Sequence, residues 1–339
     1  MAASDVQHGG AATATATAAN VVPCVTLNTG HAMPVLGFGT GSSSPPADLP
    51  AIIARAVCLG YRHIDTAAVY GTEGAVGAAV AEAVRGGAVA SRGDLFVTTK
   101  LSMVDALPAR VVTALRESLT RLGLDYVDLF LVHWPVTIAK KDPAGELSRD
   151  NVDRMVPFDM EGVWRGMEEC HRLGLARSIG VSNFSATKMS RLLALAAVPP
   201  AVNQVEMNVG WRQEKVREVC GESGVVVAAY SPLGAYGAHW GSDAVMKNGV
   251  LHDVAARREK TIAQVALRWL YEQQGVCVVA RSFNEDRMKQ NMDIFDWELN
   301  EEDKRMIAGI PQRRASQGEY FVSPDGPYKS IHDLWDGEI

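Results

Sequence analysis

The sequence predicts an α/β chain folded as one (β/α)8 barrel, and three observations carry this. Short Val- and Ile-rich runs alternate with longer segments of helical period, the pattern of parallel strands joined by crossover helices. Eight such units fit within about 270 residues, a usual length for this barrel. No Pro/Ser-rich linker splits the 339 residues into balanced halves, which counts against the alternative, a doubly wound sheet in two domains.

Residues 1–22 are Ala/Thr/Gly-rich without a periodic apolar face, and predict a disordered tail. A transit peptide is the rival reading, disfavoured because the first Lys or Arg of the chain is Arg55. The barrel is expected over 23–310. It opens with CVTLNTGHAMPV, whose Asn28-Thr29-Gly30 turn predicts a hairpin across the barrel floor. The eight strands are expected at 35–40, 63–67, 95–100, 127–133, 178–183, 201–207, 225–231 and 276–281. Between them run amphipathic stretches such as ARVVTALRESLTRLG and TIAQVALRWLYEQQG, several of which stop at a Gly suited to a left-handed cap. Two insertions, 136–160 after the fourth strand and 232–259 after the seventh, leave the strand ends where barrel active sites are built. The segment 311–339, with Tyr320, Phe321, Tyr328 and Trp335 as anchors, is expected to fold back near the substrate pocket.

A net charge of −6 without a basic stripe excludes nucleic acid as a partner. No apolar run reaches the ~20 residues that cross a bilayer. The five cysteines, Cys24, Cys58, Cys170, Cys220 and Cys277, are scattered and include no C-x-x-C pair, so reduced thiols in the cytosol are expected. The sequon at Asn183 falls at the end of a core strand and is not read as a glycosylation site.

The strand ends carry the chemistry. Asp65 ends the second strand, Lys100 the third, His133 the fourth and Asn183 the fifth; Tyr230 lies near the end of the seventh, and Gln204 interrupts the sixth. All are expected on one cavity rim. Any one of them has a bland structural reading, but equivalent positions on successive strands argue together for a site. Lys100 beside Asp65 makes an ion pair, and an ammonium beside the Tyr70 phenol is expected to lower its pKa from about 10. Tyr70 then serves as general acid, while His133 orients the target oxygen. A proton donor without a nucleophilic Ser or Cys and without a metal-ligand cluster points to addition to C=O, with hydride from a cofactor.

These residues resemble the aldo-keto reductase superfamily. HIDTAAVYGTEGAVG resembles its first signature, LFLVHWPV carries its histidine and SIGVSNF its middle motif. The resemblance implies Asp65, Tyr70, Lys100 and His133 as catalytic tetrad, NADPH/NADP+ as cofactor, no metal, and a monomer acting on a small carbonyl compound. It further implies that Ser182, Asn183 and Gln204 hold the nicotinamide carboxamide, that Tyr230 stacks on the ring, and that Gly39, Thr40, Ser231, Leu233 and Gly234 line the cofactor. ARSFNEDRMKQN matches the adenosine-phosphate motif through Arg281, Ser282, Phe283, Arg287, Gln290 and Asn291. In it Arg281 stands for the usual lysine and Gln290 for a frequent glutamate. VPFDMEGVWRGMEECHRLGLA and the ending GPYKSIHDLWDGEI resemble a plant reductase group that includes deoxymugineic acid synthase, chalcone reductase and codeinone reductase, which implies specialised metabolism and a keto acid among the substrates.

Val69, Ser102, Met103 and Trp134 are the implied pocket residues. Ser102 replaces a pocket tryptophan and Val69 a histidine, and the wider, less polar pocket wall favours a different or bulkier substrate. The alternatives are an NADPH-binding module without turnover, a broad reductase of reactive aldehydes, and a Schiff-base aldolase using Lys100.

Overall fold

The computed structural model describes residues 22–140, 152–238 and 241–339. β1 (Cys24–Thr26) and β2 (Ala32–Pro34) form the expected antiparallel hairpin. The barrel strands follow: β3 (Leu36–Gly39), β4 (His63–Asp65), β5 (Phe96–Leu101) and β6 (Val127–Val132). After an inserted pair, β7 (Thr137–Lys140) and β8 (Val152–Val156), come β9 (Ala176–Ser182), β10 (Val202–Glu206), β11 (Val226–Tyr230) and β12 (Val276–Ala280). The eight barrel strands are parallel and close where Val278 of β12 pairs with Leu36 of β3. All eight predicted strands are present, within one or two residues at most ends.

Eleven α-helices lie among the described residues: α1 (Leu49–Cys58), α2 (Glu73–Arg85), α3 (Val111–Leu122), α4 (Met160–Arg172), α5 (Ala186–Leu195), α6 (Glu214–Glu222), α7 (Gly249–Arg258), α8 (Ile262–Tyr271), α9 (Glu285–Met292), α10 (Glu301–Ala308) and α11 (Ile331–Leu334). β5 and β6 are buried along their whole length, because barrel interior and helical ring cover both faces of a parallel sheet. α3 buries Val111, Leu115, Leu119 and Leu122 on one stripe and stops as expected at Gly123, whose φ of +62° frees its N–H for the last carbonyls. α8 starts at a reciprocal Thr261/Gln264 capping box. Its expected stop at Gly275 is a correction: the helix ends at Tyr271, and Gly275 (φ +70°) belongs to the turn into β12.

The insertion at 136–160 forms the β7–β8 hairpin, with Ile138 opposite Met155. Of the two lysines in this insertion, Lys140 is half-buried, and Lys141 lies outside the described residues. So do residues 1–21; Val22, counted with the tail, is buried against the barrel core.

The barrel interior holds His63, whose ring packs on Gly37: a Cβ at Gly37 would lie 2.6 Å from His63 Nδ1. His63 Nε2 lies 3.0 Å from Thr98 Oγ1. Burial pushes this imidazole from 6.5 down to about 4. The unfolded chain therefore takes up a proton below pH 6.5 that the folded chain refuses until about pH 4, and stability falls as pH drops through that window. The contribution is about 3 kcal/mol. Urea midpoints should decline from pH 7 to pH 4.5, and His63→Asn should flatten the decline; an unchanged slope in that variant contradicts the assignment.

Candidate active site

Strand register and the pleat place the tetrad. Asp65 ends β4, Lys100 is the fifth residue of β5, and His133 follows β6. Tyr70 closes a single 3-10 turn, Ala68–Tyr70, just beyond β4. Lys100 is fully buried, and its Nζ donates to Asp65 Oδ1 at 2.6 Å and to the Thr66 carbonyl at 2.9 Å. The other oxygen of Asp65 accepts from Gln204 Nε2 at 2.7 Å. The Tyr70 hydroxyl lies 3.4 Å from His133 Nε2, with the two rings edge to face, and Lys100 Nζ sits 5.0 Å from the Tyr70 ring centre. Gly41 lies close under this ring: a Cβ there would sit 3.2 Å from the Tyr70 ring, a tight contact that would press on it.

The electrostatics correct one expectation. Lys100 does not acidify the phenol: burial first, and the Asp65 carboxylate second, raise Tyr70 above its ordinary value. The reason is geometric. The ammonium is neutralised by a carboxylate 2.6 Å away, so the phenol faces a closed ion pair, and desolvation wins. Burial, reinforced by the Lys100 charge, holds His133 well below the usual histidine range. At neutral pH the pair is thus a protonated phenol beside a neutral imidazole.

The ends of β9 to β11 join the same network. Asn183, at φ +62°, adopts the left-handed conformation that asparagine tolerates. Its Nδ2 donates to the His133 carbonyl at 2.9 Å and to Ser182 Oγ at 3.1 Å, and its Oδ1 accepts from the Tyr230 hydroxyl at 2.7 Å. Ser182 Oγ donates to the Gln204 carbonyl at 2.7 Å. Asn183 is buried, so the sequon has no accessible acceptor. Ser231 (φ +51°), Leu233 and Gly234 (φ +71°) form the turn after β11. Gly39 and Thr40 sit at the end of β3, and the Thr40 N–H and hydroxyl both donate to the Asp65 carbonyl.

On the adjoining rim, β12 runs into α9 through Arg281, Ser282 and Phe283. Arg287 Nε donates to Ser282 Oγ at 3.2 Å, and the Arg281 guanidinium stacks 5.4 Å above Phe283. Asn284 caps the helix, and Glu285 in its first turn is neutralised on both sides by Arg55 and Lys289, each at 2.8 Å. Two guanidiniums and a hydroxyl at a helix start suit a phosphate monoester; of the two first-turn acids, Glu285 and Asp286, Glu285 is already paired. Gln290 is exposed, whereas Asn291 is buried and turned towards Tyr61.

Of the expected pocket residues, Ser102 is buried, Val69 shares the Tyr70 turn, and Met103 and Trp134 join an apolar cluster with the C-terminal segment. Trp134 packs on Phe321 (4.8 Å between centres) and Trp335 (5.6 Å), and the Tyr328 hydroxyl donates to the Pro135 carbonyl. The segment is latched at its end: buried Lys188 donates to Asp336 at 2.6 Å and to the Leu334 carbonyl at 2.7 Å. Glu338 accepts from the Ala186 N–H that opens α5. At the start of the segment, buried Glu206 accepts the Ala315 and Ser316 N–H groups. Neither Lys188 nor Glu206 stands out in the sequence. The only available signal was a charge within an apolar strand or at a helix start.

Comparison with known proteins shows the family. The chain is 55% identical over 311 residues to deoxymugineic acid synthase 1 of Oryza sativa, covering 91% of this chain and 96% of that protein. It is 49% identical to Protein REDOX 2 of Catharanthus roseus, covering 94% and 98%. The structure of a Bombyx mori aldo-keto reductase in complex with NADP superposes with a TM-score of 0.79 at 36% identity, covering 91% of this chain and 98% of that one. Residues 35–311 match the aldo/keto reductase family, and the chain belongs to that family.

Proposed function

We propose that the protein reduces an aldehyde or ketone with NADPH, and that Tyr70 delivers the proton. The observation that carries this is the Tyr70 hydroxyl at 3.4 Å from a neutral His133, beside the buried Lys100–Asp65 pair. NADPH, when bound, supplies the hydride. His133 Nε2 and the Tyr70 hydroxyl hold the substrate oxygen, and Tyr70 passes its proton as negative charge develops there. Asp65 holds Lys100 aimed beside the Tyr70 ring through the 2.6 Å ion pair, which fixes the floor on which the phenol sits.

The charged state makes Lys100 a poor nucleophile, which disfavours the aldolase reading. The side chains of Ser182, Asn183 and Gln204 take the nicotinamide carboxamide. Tyr230 offers its ring to the nicotinamide, and Gly39, Thr40, Ser231, Leu233 and Gly234 border the cofactor. Arg281, Ser282 and Arg287 take the 2′-phosphate. Arg281→Ala with Arg287→Ala should raise KM for NADPH roughly 10- to 100-fold and leave KM for NADH almost unchanged. Equal losses with both cofactors would contradict that assignment.

The apolar cluster of Met103, Trp134 and Phe321, with the small Ser102 and apolar Val69 at the neighbouring strand ends, favours a bulkier carbonyl compound than a small keto acid. A small keto acid is the competing substrate. The reading carries with it a cytosolic monomer of plant specialised metabolism. A panel of keto acids, aromatic aldehydes, methylglyoxal and steroid-like ketones, run with NADPH and NADH, tests it. Preferred turnover of bulky carbonyls with NADPH supports it. Tight NADPH binding with no carbonyl reduced overturns it in favour of a binding module.

A further inference from the structure

We infer that Thr72, through a directed chain of threonine hydroxyls, is the positioning residue that clamps the Tyr70 turn for proton delivery; this rests on the carbonyl-reduction reading above. Three hydroxyls meet behind the turn. Thr66 Oγ1 lies 2.8 Å from Thr72 Oγ1, Thr72 Oγ1 lies 2.9 Å from Thr40 Oγ1, and Thr40 Oγ1 donates to the Asp65 carbonyl at 3.0 Å. All three side chains are buried.

A hydroxyl has one proton, and that arithmetic fixes the direction of every link. Thr40 gives its proton to the Asp65 carbonyl, so it must accept from Thr72. Thr72 has then spent its own proton and must accept from Thr66. The chain therefore runs Thr66 to Thr72 to Thr40 to Asp65, and hydrogen bonds aligned in this way polarise one another.

The ends of the chain lie where the proposed chemistry needs rigidity. Thr66 and Thr72 flank residues 67–71, so their bond closes the turn that carries Tyr70. The Thr66 carbonyl is one of the two acceptors of Lys100 Nζ. Thr40 precedes Gly41, on which the Tyr70 ring rests. Thr72 also stands at the N-cap of α2, where a threonine hydroxyl ordinarily accepts a helix N–H, yet it makes no such bond. Its hydroxyl is committed to the clamp instead of the helix.

Thr72→Val keeps the shape of the side chain and removes both of its links. The expected result is a fall in kcat of roughly 10- to 100-fold, from misplacement of Tyr70 by a fraction of an ångström to an ångström. KM for NADPH should stay unchanged, and the deuterium isotope effect with C4-deuterated NADPH should rise as chemistry becomes slower than product release. Thr72→Ser should restore both quantities. Thr66→Val, which breaks only the turn-closing link, should show the same kcat loss, and it decides the matter if Thr72→Val does not fold. A merely structural threonine would lower thermal stability without moving the isotope effect. Wild-type kcat and isotope effect in the folded valine variants overturn this inference alone, whereas a wild-type protein that reduces no carbonyl overturns the reading beneath it as well.

Discussion

Tyr70→Phe is expected to lower kcat/KM for carbonyl reduction by roughly 10²- to 10⁴-fold, the range for removing a positioned general acid. The substitution deletes one oxygen and keeps the ring that packs on Gly41 and meets His133 edge to face. The hydroxyl makes one long contact, 3.4 Å to His133 Nε2, so its loss should cost little stability. NADPH affinity should survive, because Tyr70 is not among the residues assigned to the cofactor. The pH dependence carries a further sign. The phenol is raised, not lowered, so Tyr70 stays protonated through neutral pH and reduction should show no loss from its ionisation as pH rises to 9. A wild-type rate that falls between pH 7 and 9 with the titration of this phenol would contradict the burial argument. Initial rates of NADPH oxidation over that range, for wild type and variant, check both points.

Lys100→Met is expected to have the largest effect on stability, roughly 3–5 kcal/mol, because it strands a buried carboxylate. Asp65 has lost most contact with solvent, and its remaining partner on that face is the neutral amide of Gln204. Burial by itself pulls the Lys100 ammonium down and Asp65 pulls it up, so neither charge is stable without the other. The double variant Lys100→Met with Asp65→Leu should therefore recover much of the stability lost by the single change, as coupled neighbours do. Both proteins should be inactive. Urea denaturation of the two single variants and the double variant measures the coupling energy; strictly additive losses would show that the pair contributes nothing as a pair.

Much of the barrel was legible because its strands are continuous Val/Ile runs bounded by turns, and because buried parallel strands tolerate little else. The same rule exposed the site. Asp65, Lys100, His133 and Asn183 stand out as polar residues closing apolar runs, and the closed barrel brings them together through register alone. What was not legible depended on contacts distant in sequence. The β7–β8 hairpin is short and gains its burial from the C-terminal segment, so its own periodicity is weak. Lys188 and Asp336 are joined by folding across the whole second half of the chain. The acidity of Tyr70 is not legible because the sequence places a cation near it, whereas the fold pairs that cation with Asp65 at 2.6 Å. The end of α8 at Tyr271 is not legible either, because in sequence a turn glycine such as Gly275 looks like a cap glycine.

The most direct test of the central claim follows an atom. Purified protein is given an aromatic aldehyde with NADPH carrying deuterium at both C4 positions, and the alcohol is examined by mass spectrometry. Tyr70 acting as proton donor to a carbonyl reduced by NADPH predicts one deuterium on the carbinol carbon in the wild type and almost no alcohol from Tyr70→Phe. Unlabelled alcohol, or a phenylalanine variant as fast as wild type, would contradict it.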